Sequence, residues 1–352
     1  MPTLKHCILG LCLGLSLYSS TALSAQEAQE AQEAQEAQQQ FVAMMVEKHQ
    51  FSATDITQAL AKASKSEKIL AAIAKPWEAK PWHQYHPIFL TEKRLNKGVA
   101  FWQEHQLTLQ RAEQELGVPA EIIVAIIGVE TFYGSYKGKY PVLDALYTLG
   151  FYYPPRSTFF RSELEQLFLL AKEENFELSE LMGSYAGAMG WGQFISSSYR
   201  HYAIDFDGDG IRDLLNNPTD AIGSVANYFK KHGWKKDQDI VFKAKITGDK
   251  SQSLLSSSLK YRHQWTELQD AGVRVDAEIS ADASVKLFAF EQPDSQEFWV
   301  GLKNFYVITR YNHSPLYAMV VYQLSQQIKQ QYLVTMAKKD PLTTQADHFG
   351  TQ

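Results

Sequence analysis

Pro119-Ala120-Glu121-Ile122-Ile123-Val124-Ala125-Ile126-Ile127-Gly128-Val129-Glu130-Thr131-Phe132-Tyr133-Gly134 is the stretch on which the reading of this chain turns. Proline suits the first turn of a helix, where its missing N–H leaves no bond unmade, and Gly134 can end the helix in the left-handed region. Between them Ile122, Ile123, Val124, Ile126, Ile127 and Val129 leave no wide polar face, so a helix buried on all sides is expected. Glu130 stands at its C-terminal end among aromatic residues. An apolar setting and the negative end of a helix both disfavour the carboxylate, which raises its pKa as a general acid working near neutrality requires. The alternative is a carboxylate that simply reaches solvent at a helix end.

Upstream, residues 101–116 read as an amphipathic helix stopped at Gly117. Pro76, Pro81 and Pro87 break up the preceding stretch, which carries Trp77, Trp82 and Tyr85, and Ser52 with Asp55 has capping-box spacing before Ile56 and Leu60. Residues 26–37 repeat Gln-Glu-Ala and run into Gln38-Gln39-Gln40, a polar tract with no apolar face. A spacer over 25–40, helical or disordered, is expected, with the folded region at 41–336 and a tail at 337–352. At the start, Lys5 and His6 precede an apolar run at 7–17 and the small residues of Ala22-Leu23-Ser24, the pattern of a secretory signal peptide over 1–24. The run is too short to span a bilayer. Cys7 and Cys12, the only cysteines, lie inside it, so the exported chain has no disulfide, thiol nucleophile or thiolate metal site. Neither cysteine follows a small residue, so lipid anchoring is not expected.

Downstream, Gly183-Ser184-Tyr185-Ala186-Gly187-Ala188-Met189-Gly190-Trp191-Gly192-Gln193-Phe194 is too glycine-rich for a helix and too aromatic for a flexible linker. It reads as a shaped binding loop or a tight packing turn, and it is neither a Walker loop nor a nucleophile elbow. Asp205-Phe206-Asp207-Gly208-Asp209-Gly210-Ile211-Arg212-Asp213 places aspartates at loop positions one, three, five and nine, with Gly at six. That is the spacing of an EF-hand loop, in which Asp205, Asp207, Asp209, the Ile211 carbonyl, Asp213 and position twelve would surround Ca²⁺. Position twelve is Asn216 in place of a bidentate glutamate, so the ion would be structural and weakly held, with Asp220 as a substitute ligand. The alternative is a solvated acidic turn. Residues 240–246 and 284–290 alternate as strands with a helix between, suggesting a small β-containing insertion over about 239–300. The closing helix carries Leu316, Met319, Val320 and Leu324, with Tyr306, Tyr311, Tyr317 and Tyr322 clustered nearby.

With 45% hydrophobic residues the 352-residue chain can build a sizeable core, and a net charge of −5 argues against nucleic acid as a partner.

Taken together, Val129-Glu130-Thr131, Tyr185 to Phe194, the acidic loop leading into Ala221-Ile222-Gly223-Ser224-Val225-Ala226-Asn227-Tyr228-Phe229, and Ile308-Thr309-Arg310-Tyr311-Asn312-His313-Ser314 resemble the membrane-bound lytic murein transglycosylase B family in the same order. The resemblance implies a mainly α (α+β) fold: a lysozyme-like catalytic core with a helical domain, a small β-containing domain and the EF-hand-like loop in the core. It implies a monomeric periplasmic enzyme that cleaves the MurNAc-β-1,4-GlcNAc bond of peptidoglycan glycan strands and closes a 1,6-anhydro ring, with no organic cofactor. Glu130 would be the sole catalytic acid and base, and Tyr85, Ser184, Gln193, Tyr228, Tyr311, Asn312 and Tyr317 would line the glycan groove. Phe159 stands where the family pattern has a cleft tyrosine. A hydrolytic muramidase and a noncatalytic peptidoglycan-binding protein are the rival expectations.

Overall fold

The computed structural model describes residues 12–74 and 80–339. Residues 1–11 of the expected signal, Pro76 and Trp77, and residues 340–352 of the expected tail lie outside them. In chain order the α-helices are α1 (Cys12–His49), α2 (Ala53–Lys62), α3 (Glu67–Ile73), α4 (Trp82–Tyr85), α5 (Glu92–Glu104), α6 (Gln106–Leu116), α7 (Ala120–Thr131), α8 (Val142–Tyr152), α9 (Ser157–Glu174), α10 (Ser196–Tyr202), α11 (Pro218–Lys231), α12 (Trp265–Asp270), α13 (Lys303–Tyr311) and α14 (Pro315–Lys339). The strands are β1 (Tyr140–Pro141), β2 (Met182–Gly183), β3 (Val241–Ile246), β4 (His263–Gln264), β5 (Val273–Val275), β6 (Ser284–Glu291) and β7 (Gln296–Gly301). The fold is mainly helical with a small sheet. It divides into two units.

The first unit takes Met1–Ile73, Tyr140–Leu181 and Tyr185–Gly187. The Gln-Glu-Ala tract lies within the single helix α1, where Gln29 donates to Glu33 and Gln32 to Glu36 at helical spacing. Packing begins ahead of Phe41: Ala34 is 1% exposed, and Gln38 donates to the Tyr147 hydroxyl at 3.1 Å. Phe41 then meets Phe151 and Phe168, each at 6.1 Å, over a core supplied by α8 and α9. Ser52 caps α2 by accepting from the Asp55 N–H, as its spacing indicates.

The second unit takes Ala74–Lys139, Met182–Ser184 and Ala188–Gln352. Helices α5, α6, α11 and α14 all pack on α7, which is why α7 is apolar on every side. The expected helix over 101–116 is two helices, α5 and α6, parted at His105 (φ −108°, ψ 26°), which still donates its N–H to Phe101. Gly117 ends α6 with φ 75°. The five-stranded sheet has the order β4-β6-β7-β3-β5, with antiparallel pairs throughout. Period-two alternation sends Val285 and Leu287 of β6 into a core with Trp265 and Leu268 of α12. Phe288 and Phe290 on the opposite face meet Phe305 of α13 at 4.9 Å and Trp82 of α4 at 5.3 Å. No helix among the described residues is long and apolar enough to cross a membrane.

Candidate active site

Glu130 occupies the last turn of α7, one residue short of its end. The backbone then turns left-handed for three successive residues: Phe132 (φ 51°), Tyr133 (φ 56°) and Gly134 (φ 74°). The cap is therefore Phe132, two residues earlier than the glycine that sequence pointed to. For non-glycine residues this region costs of order 1 kcal/mol each, so neighbours must hold it. The Phe132 N–H bonds back to Gly128 O, the Thr131 hydroxyl donates to Trp191 O at 2.9 Å, and the Gly134 N–H donates to Thr131 Oγ1 at 3.0 Å. Arg94 donates from Nε to Gly128 O, satisfying a helix-end carbonyl, and lies 5.2 Å over the Phe132 ring. Sequence reasoning missed Arg94; the only signal was an arginine one helix turn after the capping residue Thr91. A Cβ at Gly134 would come within 2.4 Å of the Trp191 ring, so only glycine lets this turn close on the loop.

That loop is irregular, as expected. Met189 bridges to both Gly183 and Phe194, and the Trp191 N–H donates to Leu214 O. A Cβ at Gly190 would lie 2.2 Å from that same carbonyl. Gln193 (φ 50°) donates its amide to Lys137 O and Gly190 O. Ser184 Oγ accepts the Ala188 N–H at 3.1 Å, closing the start of the loop.

Opposite Glu130 stand the tyrosines of α11, α13 and α14. The Tyr317 hydroxyl donates to Glu130 Oε1 at 2.6 Å. Burial pushes the Glu130 carboxyl up to about 7, partly offset by that hydrogen bond; among the described residues no cation and no second carboxylate acts on it. Burial and the Glu130 charge hold the Tyr317 and Tyr311 phenols well above the usual tyrosine range. The Tyr311 hydroxyl donates to Gly192 O at 2.6 Å and that of Tyr228 to Arg310 O, while the two rings meet at 4.8 Å. Tyr85 lies close enough to Tyr317 to raise it further, and packs on Phe89 at 5.2 Å. Asn312 ends α13, where its carbonyl accepts the Ser314 N–H.

Glu130, Tyr85, Tyr317, Tyr311 and Tyr228 thus form one connected cluster, tied to the Gly192-Gln193 loop. Tyr228 and Tyr317, expected to line the glycan groove, present little open surface. They are 8% and 3% exposed, and their hydroxyl protons are committed to Arg310 O and Glu130. They wall Glu130 in, while Glu130 itself, Ser184, Gln193, Tyr311 and Asn312 keep partly exposed surface.

Asp205, Asp207 and Asp209 bring carboxylate oxygens within 4.8 Å of one another, a hard oxygen set that suits Ca²⁺. The Gly208, Asp209 and Gly210 N–H groups bond the Asp205 carboxylate, and those bonds, Gly210's above all, pull its pKa down. Asp213 and Asn216 stand outside the cluster: Asp213 Oδ1 accepts the Leu215 and Asn216 N–H groups. Asp220, the expected substitute ligand, is buried, accepting the Phe206 N–H on Oδ1 and the Asp213 N–H on Oδ2.

The protein family described as "Transglycosylase SLT domain" matches residues 33–326. The chain is 41% identical over 300 residues to membrane-bound lytic murein transglycosylase B of Escherichia coli K12, covering 82% of each. It resembles the catenated lytic transglycosylase SltB1 of Pseudomonas aeruginosa with a TM-score of 0.81 and 46% identity, over 83% of this chain and 97% of that one. It also resembles the E. coli lytic transglycosylase Slt35 solved in complex with calcium, with a TM-score of 0.78 and 41% identity, over 84% and 94% of the two chains. The glutamate at the end of a buried helix, the glycine-rich loop against it and the acidic loop follow in the order of the motifs, and by the family match and the 41% identity this chain belongs to the SLT-domain transglycosylase family.

Proposed function

We propose that this chain is a peptidoglycan lytic transglycosylase that cleaves the MurNAc-β-1,4-GlcNAc bond with Glu130 as its only acid and base. The observation that carries this reading is a single carboxyl, raised to about 7 and hydrogen-bonded by Tyr317, with no second carboxylate among the described residues acting on it. Ordinary glycosidases need two carboxylates, one of them as nucleophile or as base for water. One suffices when the substrate supplies the rest. Near neutrality a large share of Glu130 is protonated; with Oε1 held by Tyr317, Oε2 is the oxygen that carries the proton to the leaving oxygen. The acetamido group of MurNAc stabilises the positive charge left at C1. Glu130, now a carboxylate, takes the proton of the same sugar's C6 hydroxyl, and that oxygen attacks C1 to close the 1,6-anhydro ring. Tyr311, Asn312 and Gln193 hold the sugar with C6 near C1, and Ser184, Tyr85 and Tyr228 shape the groove.

In this reading residues 1–24 are an export signal, the enzyme works in the periplasm as a monomer on glycan strands, and 41–336 is its catalytic region. Asp205, Asp207, Asp209 and the Ile211 carbonyl would hold a weakly bound Ca²⁺, which cross-links the loop when present. The test is digestion of purified sacculi in H₂¹⁸O followed by mass spectrometry. Muropeptides ending in unlabelled 1,6-anhydro-MurNAc are expected. Reducing ends carrying ¹⁸O at C1 would move the chain to the muramidase reading, and no digestion at all to a binding role.

A further inference from the structure

Helix α13 ends at Tyr311 and Asn312 beside Glu130, and a second hollow, of about 850 Å³, lies at its other end. Phe242 of β3, Tyr261, and Tyr306 of α13 supply half-buried rings to it. Asp237, Asp239, Glu278, Lys260 and Lys303 stand round it, all exposed. Among the described residues none of these five is in an ion pair. The rim is held from within: Asn304, 0% exposed, accepts the Lys235 N–H at 2.9 Å and donates to Lys235 O and Gln238 O. That pins the turn carrying Asp237, whose left-handed backbone (φ 59°) costs of order 1 kcal/mol. The Tyr261 and Tyr306 rings meet edge to face at 5.5 Å. The Tyr261 hydroxyl is sealed against Gly301 with no partner among the described residues, so the surface Tyr261 keeps is ring. Rigid rings and a fixed rim leave little to be ordered when a ligand enters.

The lining decides the class of ligand. Ring faces pack on C–H surface, the three carboxylates accept hydroxyl or amide protons, and the two ammoniums donate to neutral oxygens. Carboxylates outnumber ammoniums, which disfavours an anion. An uncharged pyranose with hydroxyl and acetamido groups meets all three demands. We propose that this hollow is a second, noncatalytic saccharide site that holds GlcNAc units of the glycan while Glu130 cleaves elsewhere on it. This rests on the peptidoglycan reading above. The nine residues of α13 set the two sites about 12 Å apart along its axis, so one polymer can engage both. The gain is one of effective concentration, present on long glycan and absent on fragments too short to reach both sites.

The probe is chitotriose, a β-1,4-linked trimer of GlcNAc, titrated into the Glu130→Gln chain and followed by NMR of the aromatic side chains. Resonances of Phe242, Tyr261 and Tyr306 should shift along a binding curve distinct from that of Tyr311. Glu278→Ala, exposed and remote from α13, should weaken this curve at least about tenfold, as loss of a hydrogen bond to a charged group does. Tyr306→Ala should weaken it too, and Tyr306→Phe should keep it. With Glu130 restored, Glu278→Ala should lower kcat/KM on sacculi at least about tenfold and leave that on a soluble GlcNAc-MurNAc tetrasaccharide unchanged. Chitotriose shifts confined to the groove, or equal losses on both substrates, overturn the inference. Should the parent cut neither substrate while the three rings still shift and Glu278→Ala abolishes the shift, the enzymatic reading fails and the saccharide site stands.

Discussion

Glu130 sets the scale of what one side chain does here. Its folded pKa of about 7 lies above the usual 4.5, so the native chain holds a proton that the unfolded chain releases. Its contribution to stability is complete below 4.5, is lost as pH rises, and has become a penalty above about 7. Glu130→Gln, nearly isosteric and unable to shuttle a proton, should lower turnover at least about 10²-fold with glycan binding kept. The same variant should be more stable than the parent at pH 8, by about 3 kcal/mol in urea titration, and no different at pH 4. Parent-like activity in a folded variant would sink the assignment; equal stabilisation at both pH values would mean that the carboxyl is not desolvated. Tyr317→Phe removes the hydrogen bond that favours the charged carboxylate. The Glu130 pKa must then rise, so the alkaline fall of kcat/KM, set by loss of the acid's proton, should move to higher pH while the plateau drops. A limb that stays put would show that another group titrates there. Glu130 was legible because an isolated carboxylate on an apolar helix is itself an anomaly. The commitments of Tyr228 and Tyr317 to backbone and carboxylate were not, since sequence shows where rings cluster and not which bonds their hydroxyls have already made.

At the scale of elements, sequence reading succeeded where one periodicity ran unbroken and failed where two elements met. Helix α7 and strands β3 and β6 follow their patterns directly, while the short strands β4 and β5, two and three residues long, carry too few side chains for a pattern. The break between α5 and α6 escaped because His105 leaves helical geometry without proline or glycine, its ring resting on Phe101 at 4.4 Å. The acidic loop shows the same divide. Its ligand spacing was readable, but the role of Asp220 depends on which side of α11 is buried. From the first turn of α11, Asp220 ties Phe206 to Asp213, clasping both ends of the loop. Asp220→Ala strands two backbone donors and should cost about 3 kcal/mol with or without Ca²⁺. Asp209→Ala should leave the melting temperature in chelator almost unchanged and abolish the rise produced by millimolar Ca²⁺. Calorimetry of both variants with Ca²⁺ and with chelator separates clasp from ligand; equal behaviour would mean the loop is one acidic turn with no division of labour.

For the molecule as a whole, motif order along the chain was informative, whereas the division into units was not. The first unit is assembled from separated segments, Met1–Ile73 and Tyr140–Leu181 with Tyr185–Gly187, and no local composition change marks such a split. The same limit placed the start of the folded region at Phe41, because a repeat without an apolar stripe gives no sign of where it first touches protein. The described side chains of α1 up to residue 33 are exposed and bound within their own helix, apart from a solvent-screened pair between Glu30 and Lys65 at 3.8 Å. Ala34 is the first to be buried, and the core side chains Phe41 at 4% and Met45 at 0% exposure follow within three turns. A chain beginning at residue 33 should therefore keep its melting temperature within about 2 °C and its full activity, since it forgoes only isolated-helix bonds of a few tenths of a kcal/mol each. A chain beginning at residue 46 gives up both Phe41 and Met45, each worth about 2–5 kcal/mol when deleted from a packed core. That loss is of the order of a whole domain's stability, so α8 and α9, which Phe41 joins through Phe151 and Phe168, should become open to proteases. Limited proteolysis with mass mapping should show cleavage within residues 142–174 in the shorter chain alone. Protection there without Phe41 and Met45 would mean that α8 and α9 are held by other contacts, and that α1 is dispensable to the unit it opens.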